Sequence, residues 1–453
     1  MSEHSGETPE AVPARAKRTG EVREPPGMTR DWAWTEPTVW TERMLAALQL
    51  GVKGGKWYSL IDKVHSESTL QAAFARVEAN EGAAGVDHIS VDRYGRDLGA
   101  NLKRLSEELR TGTYRPQSIR RHYIPKPGSR EKRPLGIPTV RDRVVQTALR
   151  MVLEPIFERD FAAHSYGFRP GRGCKDALRR VEELLTAGYR HIVDADLKSY
   201  FDTIPKQSLL AKVGQKVTDG RILALVEGFL EQSVMDGVKE WVPEQGTPQG
   251  AVVSPLLSNI YLDPLDHLMA ERGFEMVRYA DDFVVLCRSP QDAAAALAVV
   301  QQWTAQVGLT LHPTKTRLVD AQDDGFDFLG YRFQAGRRWP RTKSMEKLKD
   351  TIRAKTRRTS GHSLPTIIAD VNRTLRGWME YFKHSYHPTF RILDGWLRRR
   401  LRSLLRKRLG LKGISRVHST DHQRWPNAFF AKQGLYSLQE DRKSTRLNSS
   451  HRP

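Results

Sequence analysis

The chain has 453 residues, of which 73 are lysine or arginine and 53 are aspartate or glutamate, so its formal net charge is +20 at pH 7. This excess of positive charge predicts a polyanionic partner, nucleic acid before an anionic membrane surface. No apolar run is long enough to span a membrane, no apolar signal segment is present, and Cys174 and Cys287 lack disulfide or zinc-site spacing, which together favour a cytoplasmic protein.

The N-terminal part of the chain changes from a polar leader to helices and then to strands. Residues 1–54 begin with a stretch rich in Glu, Pro, Gly, Arg and Thr, which predicts a mobile leader. Apolar residues between Ile61 and Leu109 recur at helical spacing and predict two packed helices. Two strands follow around a basic bend formed by Lys126, Arg130, Lys132 and Arg133. This bend is either a clamp on nucleotide phosphates or a solvated surface.

A Gly-rich basic loop, HSYGFRPGRG, comes next and contains Arg169 and Arg172. It precedes a predicted helix, and the free amides and dipole of a helix N-terminus favour the phosphates of a nucleic-acid backbone. A plain helix-entry loop is the alternative. Further on, Ser254 and Pro255 are typical of an N-cap and a first helical turn. That helix is expected to hold the preceding Pro248–Gly250 loop rigid.

Acidic residues gather at the ends of predicted strands in two places. Asp194 and Asp196 follow the strand at residues 191–193, and Asp196 is the better candidate for chemistry. The stretch RYADDFVV places Asp281 and Asp282 at a bend between two apolar strands. Adjacent carboxylates repel each other there unless a cation such as Mg²⁺ neutralises them. For the pair taken alone, a polar hairpin turn is the alternative.

The C-terminal third is predicted to be helical and basic. Apolar stripes at helical spacing begin at Met345, Leu364 and Leu393 and predict a three-helix domain. Residues 391–408 contain only Asp394 as an acidic residue, against the basic residues Arg391, Arg398, Arg399, Arg400, Arg402, Arg406, Lys407 and Arg408. So lopsided a segment favours binding to nucleic acid over a merely solvated face.

The last residues of the chain are expected to be foreign to the protein. The stretch DRKSTRLNSSH, residues 441–451, back-translates to a nucleotide sequence that resembles a common short-read sequencing adapter. We therefore assign residues 441–453 as an assembly artefact and expect the natural C-terminus to be missing.

Taken together, the two acidic groups lie about 85 positions apart and, with the Gln-Gly loop and the basic bends, fit two-metal nucleotidyl transfer. Seven motifs occur in an order that resembles the fingers and palm of reverse transcriptases, more narrowly the bacterial group II intron reverse transcriptase/maturase family. They are IPKPGSREKRPLGIP, HSYGFRPGRG, VDADLKSYFD, GTPQGAVVSPLLSNIYL, RYADDFVV, GLTLHPTKT and FDFLGYRF. RGWMEYFKHS and RWPNAFFAKQGLYSL resemble the maturase region of that family.

The resemblance covers about residues 55–440 and implies an α+β, right-hand polymerase fold. Fingers and palm would occupy residues 55–335, and an α-helical thumb and maturase region residues 336–440. The resemblance also implies two Mg²⁺ ions, with Asp196, Asp281, Asp282 and the Leu197 carbonyl as their ligands.

The same resemblance assigns the deoxynucleoside triphosphate site. Lys126 and Arg133 would hold the triphosphate, Phe201 would exclude a ribose 2′-hydroxyl, and Gln249 and Gly250 would contact the nucleotide. Two small departures from the family pattern, Ser199 and Ala251 in places where glycine is common, leave this assignment intact.

The implied function is an RNA-directed DNA polymerase that copies its parent intron RNA and assists its splicing and mobility. Its expected partners are the intron RNA template, a DNA or RNA primer and a DNA target, with no membrane. Two alternatives stay open: a catalytically silent RNA-binding splicing factor, and another retroelement reverse transcriptase of the diversity-generating or retron type.

Overall fold

The structure is a computed structural model that describes residues 32–125, 132–411 and 419–441. Its first elements are α1 (Glu42–Leu50), α2 (Ile61–His65), α3 (Glu67–Ala79), α4 (Val91–Arg96) and α5 (Leu98–Thr111). Within the predicted leader, Trp40 is buried, and its indole N–H donates a hydrogen bond to the Met151 carbonyl at 2.9 Å. Residues 32–54 are therefore tied to the core by an aromatic anchor.

A mixed sheet with the strand order β2-β1-β4-β5 follows the N-terminal helices. Its strands are β1 (Ile119–Pro125), β2 (Lys132–Ile137), β4 (Val234–Asp236) and β5 (Lys239–Trp241). The predicted hairpin is present, because β1 and β2 pair antiparallel with Ile124 opposite Arg133. Helix α6 (Val140–Glu158) continues directly from β2, and the Thr139 hydroxyl caps it by accepting from the Asp142 N–H.

A second sheet, with the order β6-β7-β3-β8, occupies the centre of the molecule. Its strands are β3 (His191–Asp196), β6 (Glu275–Tyr279), β7 (Asp282–Cys287) and β8 (Arg317–Asp320). Successive side chains alternate between the faces, so Val193 and Val285 join one hydrophobic core while Ile192 and Val284 join another. Both faces are covered, which explains why these strands are nearly continuous in apolar residues.

Helices cover the central sheet on both sides. Helix α7 (Cys174–Thr186) packs on one face, and α11 (Ser254–Glu271) and α12 (Pro290–Gln306) pack on the other. Three further helices, α8 (Tyr200–Thr203), α9 (Lys206–Gly214) and α10 (Gly220–Leu230), join the hydrophobic core that contains α11 and α12. Helix α11 begins at Ser254, but its N-cap position is Val253. The Ser254 hydroxyl instead donates to the Pro248 carbonyl at 2.9 Å, so the predicted capping role is wrong and the hydroxyl braces the preceding loop.

The remaining chain forms a small sheet and a separate helical core. The sheet has the order β11-β10-β9, built from β9 (Phe326–Phe328), β10 (Tyr331–Gln334) and β11 (Arg337–Pro340). The helices are α13 (Thr342–Lys355), α14 (Leu364–Phe382), α15 (Pro388–Arg408), α16 (Ser419–Arg424) and α17 (Asn427–Lys432). The three predicted apolar stripes lie on α13, α14 and α15 and share one hydrophobic core. None of the helices in the described part of the chain is both long and apolar enough to cross a membrane.

Candidate active site

The two acidic elements predicted from the sequence meet at one end of the central sheet. Strands β3 and β7 pair antiparallel, and their register sets Asp196 directly opposite Asp282. Strands β6 and β7 form a hairpin in which Tyr279 pairs with Asp282, so Ala280 and Asp281 make up a two-residue loop. Ala280 has φ of +61°, a left-handed conformation that an alanine adopts only at an energetic cost. The fold thus brings three carboxylates together from positions far apart in the chain.

Two basic side chains, one just ahead of β8 and one at its first residue, contact the carboxylates of β3. The Lys315 ammonium lies 2.5 Å from an Asp196 carboxylate oxygen. Arg317 donates from Nε and Nη2 to one Asp194 oxygen at 3.0 and 2.9 Å. Asp194 shares a strand face with Asp196, and although it is paired with Arg317, its charge also raises the pKa of Asp282.

The carboxylates of the hairpin share a strongly negative, partly desolvated environment. Burial raises the pKa of Asp281, and the nearby Asp196 raises it further, while Arg133 and Arg278 act in the opposite direction. Burial also raises the pKa of Asp282 to about 7, with additional contributions from the carboxylates around it. Carboxylates that raise one another's pKa in this way favour the binding of a cation.

The Leu197 carbonyl faces the side of the chain on which β7 runs. The Lys198 N–H donates to the Thr310 carbonyl at 2.9 Å, and the Asp196 carbonyl accepts from the His312 N–H at 2.7 Å. These two bonds hold the chain to the segment ahead of β8. Peptide groups alternate in direction along an extended chain, so the Leu197 carbonyl points away from that segment. Since β7 lies on the other side of β3, this oxygen is directed to the side of the acidic hairpin.

The donor set fits Mg²⁺. Within residues 32–125, 132–411 and 419–441, no three or more His, Cys, Asp or Glu side chains are already arranged as a metal-binding cluster. Mg²⁺ needs no such cluster, because it keeps several waters and is usually bound by one or two carboxylates together with substrate phosphates. The carboxylates of Asp196, Asp281 and Asp282 and the Leu197 carbonyl are all hard oxygen donors.

The loop that contains Gln249 is held between two structural elements. On one side the Gln249 side-chain amide donates to an Asp202 carboxylate oxygen at 2.9 Å, and the Thr247 N–H donates to the Phe201 carbonyl at 2.7 Å. On the other side the Gly136 N–H of β2 donates to the Gln249 carbonyl at 2.6 Å. Asp202 therefore positions the Gln249 side chain.

Gly250 permits a close crossing of this loop with β2. Its φ is +104°, and a Cβ at this position would lie 2.3 Å from the Gly136 carbonyl oxygen. Arg133 is on the same strand, and its charge lowers the pKa of Asp281. The Gly136 bond and the close approach of Gly250 hold this loop against β2, the strand that also contains Arg133. Lys126 and Arg130 lie outside the described residues.

Phe201 lies half-buried next to the same loop. Its ring packs edge-on against Tyr200 at a centroid distance of 5.5 Å and against Phe168 at 6.4 Å. The Phe201 carbonyl is fixed by the Thr247 N–H. The side chain is therefore held on two sides by aromatic neighbours, which suits a role in limiting the shape of a bound nucleotide.

Two arginines differ from what their sequence context indicates. Arg169, in the Gly-rich loop expected to contact a nucleic-acid backbone, is 6 % exposed and pairs with Glu158. Its guanidinium also donates to the Ala162 and Ser165 carbonyls, so the expected backbone contact is wrong for this residue and its role is to shape the loop. Arg278 is fully buried, which the sequence analysis did not predict. The available signal was its position in a strand among apolar residues, where a charged side chain needs an internal partner.

Comparison with known proteins identifies this architecture. Residues 124–333 match the family profile "Reverse transcriptase (RNA-dependent DNA polymerase)", and residues 345–423 match "Group II intron, maturase-specific domain". Protein YkfC of Escherichia coli K12 is 32 % identical over 342 residues, covering 66 % of this chain and 85 % of YkfC. The chain belongs to the group II intron reverse transcriptase/maturase family.

Two further similarities are partial. The group II intron-encoded protein LtrA of Lactococcus lactis subsp. cremoris is 36 % identical over 201 residues. That match covers 44 % of this chain and spans one third (33 %) of the length of LtrA. Among solved structures, a chain of the partial Cas6-RT-Cas1–Cas2 complex is 24 % identical with a TM-score of 0.36, covering 55 % of this chain and 42 % of that one. The α+β reverse transcriptase fold expected from the sequence is confirmed by the family match.

Proposed function

We propose that this protein is an RNA-directed DNA polymerase that copies its parent group II intron RNA and assists the splicing and mobility of that intron. The observation that carries the proposal is the meeting of Asp196 with Asp281 and Asp282 at one end of the central sheet, where the charge of Arg133 lowers the pKa of Asp281. In this proposal the fingers and palm comprise residues 55–335. The thumb and maturase region comprises residues 336–440.

Asp196 and Asp281, with Asp282 and the Leu197 carbonyl beside them, would hold two Mg²⁺ ions. When bound, these ions lower the pKa of the primer 3′-hydroxyl and neutralise the developing charge of the pyrophosphate. The protein itself contributes placement and charge, since Lys315 offsets the charge of Asp196 in the free protein. Little covalent chemistry is left to the side chains, so their geometry governs the rate.

The remaining residues of the site would select and align the incoming deoxynucleotide. Lys126 and Arg133 would bind the triphosphate, because a guanidinium and an ammonium suit phosphate oxygens. Gln249 and Gly250 would contact the nucleotide, and Asp202 keeps the Gln249 amide in one orientation. The Phe201 ring would exclude a 2′-hydroxyl.

The C-terminal helices would bind the structured intron RNA. Arg391, Arg399 and Lys407 are exposed on α15 and are free to meet phosphates. Arg402 is an exception within the basic run, because it is buried and donates to the Trp425 carbonyl at 2.9 Å. Shape and 2′-hydroxyl contacts are expected to dominate the recognition of folded RNA.

Primer extension on an RNA template with Mg²⁺ tests the proposal. The wild-type protein should extend a DNA primer, and Asp281→Asn should lower kcat about a thousandfold, which corresponds to about 4 kcal/mol of transition-state stabilisation. Asp323→Asn, an exposed carboxylate of the turn before β9, is the matched control and should keep wild-type activity. Full activity of Asp281→Asn would refute the assigned site. A wild-type protein that aids splicing of its intron but extends no primer would refute the polymerase function.

A further inference from the structure

A fully buried guanidinium lies directly behind the acidic hairpin. Arg278 belongs to β6, where its neighbours in the strand are Val277 and Tyr279, and its side chain is 0 % exposed. A buried charge is costly unless it is paired and its hydrogen-bonding groups are satisfied. The hydrogen-bond partners of Arg278 therefore indicate its structural role.

Every N–H donor of the Arg278 guanidinium is used. An arginine side chain has five of them. Nε and Nη2 donate to the Asp266 carboxylate, with Nε 2.8 Å from Oδ1. Nη2 also donates to the Ser165 hydroxyl at 2.8 Å, and Nη1 donates to the Asn259 side-chain oxygen at 3.0 Å. The last donor, on Nη1, binds the Ala280 carbonyl at 2.8 Å.

The contact with Ala280 connects this network to the chemistry. The Ala280 carbonyl belongs to the peptide that joins Ala280 to Asp281, and a peptide unit is planar. Holding its oxygen therefore fixes the plane from which the Asp281 backbone continues. Ala280 is also the residue with φ of +61°, so without this bond the loop would be free to relax to a conformation of lower energy.

A second set of contacts, from the loop ahead of α7, holds the same hairpin. The Tyr166 N–H donates to the Arg278 carbonyl at 2.9 Å. Gly167 passes so close to the hairpin that a Cβ on it would lie 2.2 Å from the Ala280 nitrogen. The Asn259 amide, which already accepts from Arg278, donates to the Gly167 carbonyl at 2.8 Å. The loop ahead of α7, helix α11 and the hairpin are thus joined through one buried arginine.

We propose that Arg278 is a positioning residue for the polymerase reaction, and that its guanidinium fixes the Asp281 carboxylate relative to Asp196 through the Ala280 peptide. This inference rests on the function proposed above for the site. A pair that served stability alone would need only Asp266. The Arg278 guanidinium uses all its donors, and one of them binds the Ala280 carbonyl. This bond gives Arg278 a further role, which is to fix the conformation of the Ala280–Asp281 loop.

Two variants separate positioning from stability. Arg278→Lys keeps a positive charge for Asp266, but a single ammonium lacks the planar fork that reaches the Ala280 carbonyl at the same time. The double variant Arg278→Met with Asp266→Leu replaces the buried ion pair by apolar side chains, an exchange that is often neutral for stability. Arg402→Lys is the matched control, because Arg402 is also buried and hydrogen-bonded but lies in the core of the C-terminal helices and does not contact the hairpin or the loop ahead of α7.

Single-nucleotide addition on an RNA template is measured as a function of Mg²⁺ concentration, with urea unfolding and primer–template binding measured on the same proteins. Both Arg278 variants should bind primer–template as the wild type does, lose about 100-fold in kcat and require more Mg²⁺ for half-maximal rate. Arg402→Lys should shift the urea midpoint without changing the Mg²⁺ requirement.

The outcomes are distinguishable. Folded Arg278 variants with the wild-type kcat and Mg²⁺ response would overturn the positioning role. The positioning role would also be overturned if the loss of activity were explained by the lower urea midpoint alone, with the Mg²⁺ requirement unchanged as expected for the control. If the wild-type protein itself extends no primer, the proposed function fails instead. An active wild type with unaffected Arg278 variants refutes this inference alone.

Discussion

At the scale of single residues, the site is governed by how burial changes the charge of a few side chains. Asp196 stays partly exposed and pairs with Lys315, whereas Asp281 and Asp282 are desolvated, and the charge of Asp196 raises the pKa of both. The charge of Arg278, by contrast, is neutralised within the core by an ion pair with Asp266. The same residue types therefore act differently according to which partners the fold supplies.

The pKa of about 7 at Asp282 predicts a pH-dependent stability. The value in the folded protein is raised above that of the unfolded chain, so the folded state holds the proton more tightly. This stabilisation is complete below about pH 4 and is lost as the pH rises to about 7. Asp282→Asn removes that loss, so without divalent cations its stability relative to wild type should increase between pH 4 and pH 7.

Urea unfolding of both proteins across this range, with a chelator present, measures the difference. Mg²⁺ should reduce it, because a bound cation favours the ionised carboxylate. Parallel pH profiles for wild type and variant would contradict the assignment of this shift to Asp282.

Phe201 provides a test of substrate selection. Phe201→Val shortens the side chain beside the Gln249 loop, and we expect the preference for deoxynucleotides over ribonucleotides, as a ratio of kcat/KM values, to fall about tenfold or more. Single-nucleotide addition with each substrate measures the ratio, and deoxynucleotide addition by the same variant is its internal control. A variant that uses deoxynucleotides normally and rejects ribonucleotides as before would show that another group reads the 2′ position.

At the scale of elements, the site depends on loops that cross at very short distances. The Gln249 loop is tied to α8 by Asp202, to α11 by the Ser254 hydroxyl and to β2 by the Gly136 N–H. The β6–β7 hairpin is similarly confined by Gly167. Glycine is needed at such crossings, because a Cβ would occupy the space of a neighbouring backbone atom.

Gly250→Ala should therefore disturb the fingers and the nucleotide site together. The variant must place a side chain at φ of +104° and 2.3 Å from the Gly136 carbonyl oxygen. We expect a loss of about 1–3 kcal/mol in the free energy of unfolding and a higher KM for deoxynucleotides. Urea unfolding and steady-state primer extension measure the two effects.

Gly237→Ala is the control for this change. Gly237 also has positive φ, at +62°, but its Cβ would meet no atom within 4 Å. Its cost should be confined to the backbone conformation, with the KM unchanged. Equal effects of the two variants on the KM would show that the crossing with β2 is unimportant for nucleotide binding.

At the scale of the whole molecule, the acidic site and the most basic helix belong to different parts of the chain. The acidic site lies at the central sheet, and α13 to α15 have a hydrophobic core of their own with basic residues outside. In the proposed function, the C-terminal helices would bind RNA through its phosphates, and the site at the central sheet would add one nucleotide at a time.

The electrostatic part of RNA binding should be measurable through salt. Replacing Arg391, Arg399 and Lys407 with alanine removes three exposed cations of α15, and the slope of log K against log [salt] should become shallower by about 2. Titration of a structured intron RNA at several salt concentrations gives the slope. Replacement of Arg93, Lys103 and Arg104 on α4 and α5 is the charge-matched control and should leave the slope nearer to wild type. Equal slopes for the two triple variants would contradict a special role for α15.

The sequence by itself determined the local features of this protein and, through its ordered motifs, its family. Apolar residues at a spacing of 3.6 predicted the helices of the C-terminal third, and alternation with a period of 2 predicted the strands of the basic hairpin and of the acidic elements. Such patterns depend only on residues close together in the chain. Sequence spacing placed Asp281 at a bend. It did not show that Asp196, 85 positions earlier, lies beside that bend.

Tertiary structure alone decided which distant residues meet. The register that sets Asp196 opposite Asp282 is a long-range strand pairing. The burial of Arg169 and Arg278 is equally non-local, because an arginine in a loop or strand is exposed or internal according to whether a carboxylate from another element reaches it. The contact between the Gln249 loop and β2 likewise depends on one close crossing, at Gly250 and Gly136. Such contacts depend on the packing of whole elements, and no short-range pattern in the sequence encodes them.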